Sequence, residues 1–138
     1  MLVFTALALA ACAPAVKLEK LPAPANPANA GEVVVIRPSA FIGDDIAYYL
    51  NVNEQDVLEL GAREHTRFKL PAGEHRIAIR CFMPFAGGWK ETAIPQRVVA
   101  GETVYLAVAP HHACASLEPV SEAEGKKLLS RTAFRPHG

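Results

Sequence analysis

From residue 31 onward the chain reads as short apolar stretches of period two, broken by turn residues. Glu32-Val33-Val34-Val35-Ile36-Arg37 is a continuous β-branched run, as expected for a well-covered strand. In Ile46 to Val52 the residues 46, 48, 50 and 52 form one apolar face. Asn53-Glu54 can turn, and Val57-Leu58-Glu59-Leu60 follows before Gly61. Thr66-Arg67-Phe68-Lys69-Leu70 alternates strictly, with its basic residues outward. Pro71-Ala72-Gly73-Glu74 is a turn, with proline presetting φ and glycine free to take positive φ. Beyond it Ile77, Ile79 and Cys81 lie inward and Arg76 and Arg80 outward. Gln96 to Val99 and Thr103 to Ala109 flank Gly101, and Cys114 to Val120 offers a last strand.

The pattern changes period once. In SEAEGKKLLSRT, Ser121 followed by Glu124 fits a capping box, acids occupy the first turn, and Lys126 and Lys127 come later. Its apolar stripe is thin, which predicts a short helix lying against one side of the sheets. Seven or eight strands in about ninety residues predict an all-β fold, an antiparallel β-sandwich with a short C-terminal helix. An OB-like barrel is the second choice.

The N-terminus follows a different rule. MLVFTALALAA contains no charged residue and ends at Cys12. As a helix it would reach about 17 Å, too short to cross a hydrocarbon core of about 30 Å. It has the length of a signal-peptide apolar region. Leu9-Ala10-Ala11-Cys12 resembles the lipobox of bacterial lipoproteins. That resemblance implies cleavage before Cys12, a diacylglyceryl group on its thiol and acylation of its new amine. It departs from such signals in having no Lys or Arg ahead of the apolar run. Two or three chains would anchor the protein without a transmembrane helix, since each buried methylene contributes about 0.8 kcal/mol. Ala13, in place of an inner-membrane-retaining aspartate, points to the outer membrane of a Gram-negative cell. The segment APAVKLEKLPAPANPANA has prolines at 14, 22, 24 and 27, so it sustains neither helix nor sheet. Fully extended, such a spacer would reach about 55 Å at about 3.1 Å per residue. The division is therefore a signal at 1–11, a lipidated cysteine and tether at 12–30, and a sandwich at 31–138.

Composition narrows the partners. The 138 residues carry fourteen Lys plus Arg against fourteen Asp plus Glu, so no global charge argues for nucleic acid. Helix-turn-helix, zinc-finger and RNA-binding signatures are absent. So are the G-x-S-x-G elbow, H-E-x-x-H and the phosphate-cradling glycine loop. Asp44-Asp45 follows Gly43 in a turn, where aspartate is favoured for its own side-chain hydrogen bonds.

Three stretches, VVVIRPSAFIGDDIAYYLNVN, TRFKLPAGEHRIAI and SLEPVSEAEGKKLL, resemble an uncharacterised family of small bacterial envelope proteins, domain of unknown function 2846. The middle one also resembles the Pro-x-Gly-x-His hairpin of surface-layer-associated sandwich domains. The resemblance implies a β-sandwich, often lipid-anchored, with no established activity. Asn53-Glu54-Gln55 departs from the glycine-containing hairpin turn of such relatives, which loosens the register there.

Several residues are candidates for a site. Cys81 and Cys114 form either a disulfide, reasonable in an oxidising compartment, or two buried thiols. The parity of Cys114, opposite to that of Leu117, speaks against the bond unless a loop intervenes. His111, His112 and Cys114 have imidazole and thiolate chemistry suited to zinc or copper, with His65 and His75 elsewhere. Adjacent strand histidines face opposite sides, so the reading without a metal is preferred. FMPFAGGWKETA carries Phe82, Phe85 and Trp89 and is long for a hairpin connection. It is either a binding loop with aromatic faces or a lid over the open end of the sandwich. A hairpin at Pro71 to Glu74 would set Lys69 opposite Arg76 and Arg67 opposite Ala78, giving with Arg80 a basic stripe beside Glu59, Glu64 and Glu74.

The expectation is a noncatalytic module of the bacterial envelope, without cofactor or metal. It would be held at the outer membrane through Cys12, facing the periplasm, and would bind an envelope protein or peptidoglycan. The competing reading is a metal-binding or hydrolytic protein using His111 and His112. A pocket joining those histidines to an acid would favour chemistry, and an apolar patch would favour docking.

Overall fold

The computed structural model describes residues 16–40 and 42–137. The signal at 1–11 and Cys12 lie outside the described residues.

Among the described residues nine strands pack as two sheets, with one α-helix outside them. In chain order they are β1 Ala30–Arg37, β2 Tyr48–Val52, β3 Gln55–Leu60, β4 Glu64–Pro71, β5 Gly73–Met83, β6 Gly88–Val98, β7 Thr103–His111, β8 Cys114–Val120 and, after helix α1 Glu122–Leu129, β9 Ala133–Phe134. The five-stranded sheet runs β8-β7-β1-β4-β9 and the four-stranded sheet β3-β2-β5-β6. The sandwich predicted from the pattern is therefore present. Its pairing is mixed, because β1–β7 and β4–β9 are parallel and the other pairs antiparallel.

Alternation dictates which side chains meet between the sheets. Val33, Val35, Phe68, Leu70, Leu106 and Val108 from one sheet face Tyr48, Leu50, Val52, Ile77, Ile79 and Cys81 from the other, all buried. Val34 and Ile36 point the other way and are just as buried, because α1 packs over β7 and β1 on the outer face. That is why β1 reads as an unbroken apolar run rather than as alternation. The predicted cap at Ser121 forms, its hydroxyl accepting from the Glu124 N–H at 3.2 Å. Gly125 meets the ring of Tyr105, so close that an added Cβ would lie 2.4 Å from it.

Two expectations about turns separate here. Asn53 and Glu54 both adopt positive φ, 49° and 71°, as a tight two-residue hairpin requires. They do so without glycine because Asn53 is fastened to β5: its Oδ1 accepts from the Arg76 N–H and its Nδ2 donates to His75, both at 2.9 Å. A register shift at Leu50/Asn51 accompanies this hairpin. The Pro71–Glu74 turn is no hairpin. It carries the chain from β4 in one sheet to β5 in the other. Lys69 therefore lies opposite Glu32 and Arg67 opposite Val34, while Arg76 lies opposite Pro95 and Arg80 opposite Glu91. The predicted basic stripe does not exist. Arg76 pairs with Glu91 and Glu54, and Arg80 with Asp56 and Glu91.

The segment read as a tether is in part docked. The Glu19 N–H donates to the Asp56 carbonyl at 2.7 Å, and the Glu19 carboxylate accepts from Gln55 at 2.9 Å. Leu21 is buried with the core. The C-terminal residues lie nearby: Leu18, Lys20, Val57 and Glu59 share a hollow of about 240 Å³ with Arg135 and His137.

Candidate functional site

The candidate residues gather at the end of the sandwich where β1, β5 and β7 finish. Arg37 has the inward parity of Val33 and Val35 and is 3% exposed. Its guanidinium donates to the carbonyls of Leu60 and Gly43, both at 2.8 Å, and lies 4.0 Å from the centre of the Tyr48 ring. Burial lowers its pKa, an effect that nearby Tyr48 and Asp44 oppose. The bond to Gly43 holds the 38–47 connection in place. Asp44 folds that connection further, accepting from the Ala40 N–H at 2.9 Å and the Ser39 hydroxyl at 3.1 Å. The Ala40 bond, with Ser39 adding, holds the Asp44 carboxyl below its usual pKa. This is the side-chain turn bonding read for Asp44 in the sequence.

The disulfide joins the sheets beneath this end. Cys81 of β5 and Cys114 of β8 have Cα atoms 5.9 Å apart, within the span a disulfide bridges. The parity objection fails because Cys114 is not in regular strand conformation. It follows the two-residue His112-Ala113 turn with φ of 145°, which sends its side chain inward. Tyr48 locks the same spot, its buried hydroxyl donating to the Cys114 carbonyl at 3.0 Å.

Above these groups lies a cleft of about 400 Å³. Ile42 and Ile46 of the connection, Met83 at the end of β5 and Pro110 of β7 line it, with Tyr48 below and His111 and His112 at its rim. The two imidazoles pack on each other with centroids 4.0 Å apart. His111 Nδ1 accepts from the Ala113 N–H at 3.2 Å, so it is engaged in the turn. Among the described residues no carboxylate lines the cleft. Among the described residues no three His, Cys, Asp or Glu side chains converge as a metal site would need, and the disulfide takes the Cys114 thiolate away from any ion.

The aromatic residues are not one loop. Phe82 and Trp89 sit opposite each other in β5 and β6, and the connection is only a 3-10 turn, Pro84–Ala86, with Gly87. Trp89 packs on the outer face of the four-stranded sheet, 5.4 Å from Phe82 and 5.9 Å from Tyr49 between ring centres, with the Arg80 guanidinium 4.5 Å above it. Phe85 stands apart at full exposure, 103%. Neither the lid nor a continuous aromatic loop is formed. The hydrophobic groups that do converge, Ile42, Ile46, Met83 and Pro110, carried no motif.

A second, larger hollow of about 550 Å³ lies beside Asn53, His75, Arg76 and Pro95. His75 is engaged there, its Nε2 bonding the Pro71 carbonyl at 2.7 Å while Nδ1 accepts from Asn53, whereas Arg76 Nη1 is buried without a hydrogen-bond partner.

No protein-family model, curated protein or solved structure matches the chain. The family resemblance therefore rests on the residues quoted for it. No described helix is long and apolar enough to cross a membrane.

Proposed function

We propose that the chain is a noncatalytic, lipid-anchored module of the bacterial envelope, held at the outer membrane through Cys12 and docking an envelope protein at the disulfide-braced end. The observation that carries the docking reading is the cleft: apolar side chains line it, no carboxylate enters it, and Ile42 beside it is 75% exposed. An acid-free lining supports binding over hydrolysis, because a general acid or base must lie within reach of its substrate. It favours an apolar protein side chain over a peptidoglycan sugar, whose hydroxyls need polar partners once desolvated. Trp89, the residue best suited to stacking on a sugar, already carries Arg80 on its ring.

Photo-crosslinking in intact cells tests this. A crosslinker at position 42 or 112, both lining the cleft, is expected to give one shared adduct that position 118, exposed on β8, does not give. Equal adducts from all three positions, or none from 42 and 112, would contradict the docking site.

A further inference from the structure

We propose that the flank formed by residues 16–21 and the C-terminal tail is a contact surface for the phosphate headgroups of the bilayer bearing the anchor. The inference rests on the reading of Cys12 as lipidated and adds an orientation to it. With Glu19 hydrogen-bonded to β3 and Leu21 in the core, the free spacer is not the whole proline-rich segment. Only residues 13–18 separate Cys12 from Glu19, and at about 3.1 Å per residue they span about 20 Å. A domain on so short a leash presents the side where the leash enters.

The chemistry of that side fits an anionic lipid surface. Lys17 and Lys20 are exposed along it, and Arg135 lines the hollow it shares with Lys20. Leu18 is 49% exposed and Phe134, next to Arg135, 54%. Cations flanking exposed apolar side chains are the composition of an interfacial contact. Glu64, 3.8 Å from Arg135, offsets that cation, while Glu19, bonded to Gln55, and Glu59 keep their charge and oppose the effect, so the contact rests on Lys17, Lys20 and the exposed Leu18 and Phe134 beside the short leash.

Hydrogen exchange read by mass spectrometry tests the orientation, using the full lipidated chain in phosphatidylglycerol/phosphatidylethanolamine vesicles and in detergent micelles. Exchange in peptides covering 16–20 and 134–137 is expected to slow several-fold on the vesicles, with 84–87 unchanged. The surface variant Lys17→Glu/Lys20→Glu is expected to lose that slowing while remaining vesicle-bound through its lipid. Unchanged exchange at 16–20 and 134–137 in a chain that pellets with vesicles would overturn the contact and leave the anchor standing. A chain that carries no lipid mass and stays in the supernatant would overturn the anchor itself.

Discussion

At Arg37 and His65 the fold places two cationic-type side chains in surroundings that disfavour charge, and it resolves them differently. Arg37 keeps its charge and spends its donors on two carbonyls and the Tyr48 ring, so it serves as the strut under the 38–47 connection. His65 is 9% exposed, its Nδ1 is 2.8 Å from the Thr132 hydroxyl, and its carbonyl accepts from the Arg135 N–H at 2.7 Å. Burial first, and Arg67 second, lower the His65 pKa. A histidine in the unfolded chain titrates near about 6.5. As pH falls through that value the unfolded state takes up the proton first, so this histidine's contribution to stability is present above it and declines below. The decline levels off once pH passes the lowered native value. Urea midpoints at pH 7.5 and 5.5 are expected to fall further in the native protein than in His65→Asn, and parallel falls would contradict the assignment. The inward parity of Arg37 was not readable in the run VVVIR, because four consecutive apolar residues mark no face. Its two carbonyl partners, 6 and 23 residues away, left no local trace.

Among the elements, α1 shows how a local signal and a tertiary one divide the work. The Ser121 cap and the Glu122–Lys126 pair, 2.8 Å apart, are local and were legible. Gly125 is not explained locally, since glycine inside a helix costs about 1 kcal/mol relative to alanine. The Tyr105 ring explains it. Gly125→Ala, which would stabilise a solvent-exposed helix, is expected to destabilise this protein by about 1–3 kcal/mol in urea unfolding, and Tyr105→Ala is expected to remove most of that loss. A stabilised Gly125→Ala single variant would contradict the packing. The strands were legible for the same reason as the cap, because period-two patterning is a local property. Their pairing was not. Pro71-Ala72-Gly73 specifies a change of direction and does not say whether the next strand joins the same sheet or crosses to the other. The parallel pairing of β1 with β7, which have five strands between them in the chain, has no sequence signature, and neither does the cleft built from four apolar side chains.

Over the whole molecule the bonded pair Cys81–Cys114 and the segments 16–21 and 134–137 do most to set the proposed function apart from the fold. The disulfide ties one sheet to the other across 33 residues, a closure worth roughly 3–4 kcal/mol on the chain-entropy model. On a separate side Leu21 plugs the core, and residues 135–137, bonded to β4, share a hollow with residues 18–20 and β3. On the proposed reading the membrane side and the docking end are built from different elements. The envelope assignment depends on the chemistry at Cys12. The most direct test is intact and N-terminal peptide mass analysis of the protein extracted from its native membrane. The account predicts a chain that begins at Cys12 and carries the mass of a diacylglyceryl group, with acyl on the amine. A chain that begins at Met1 with an unmodified Cys12 would contradict it.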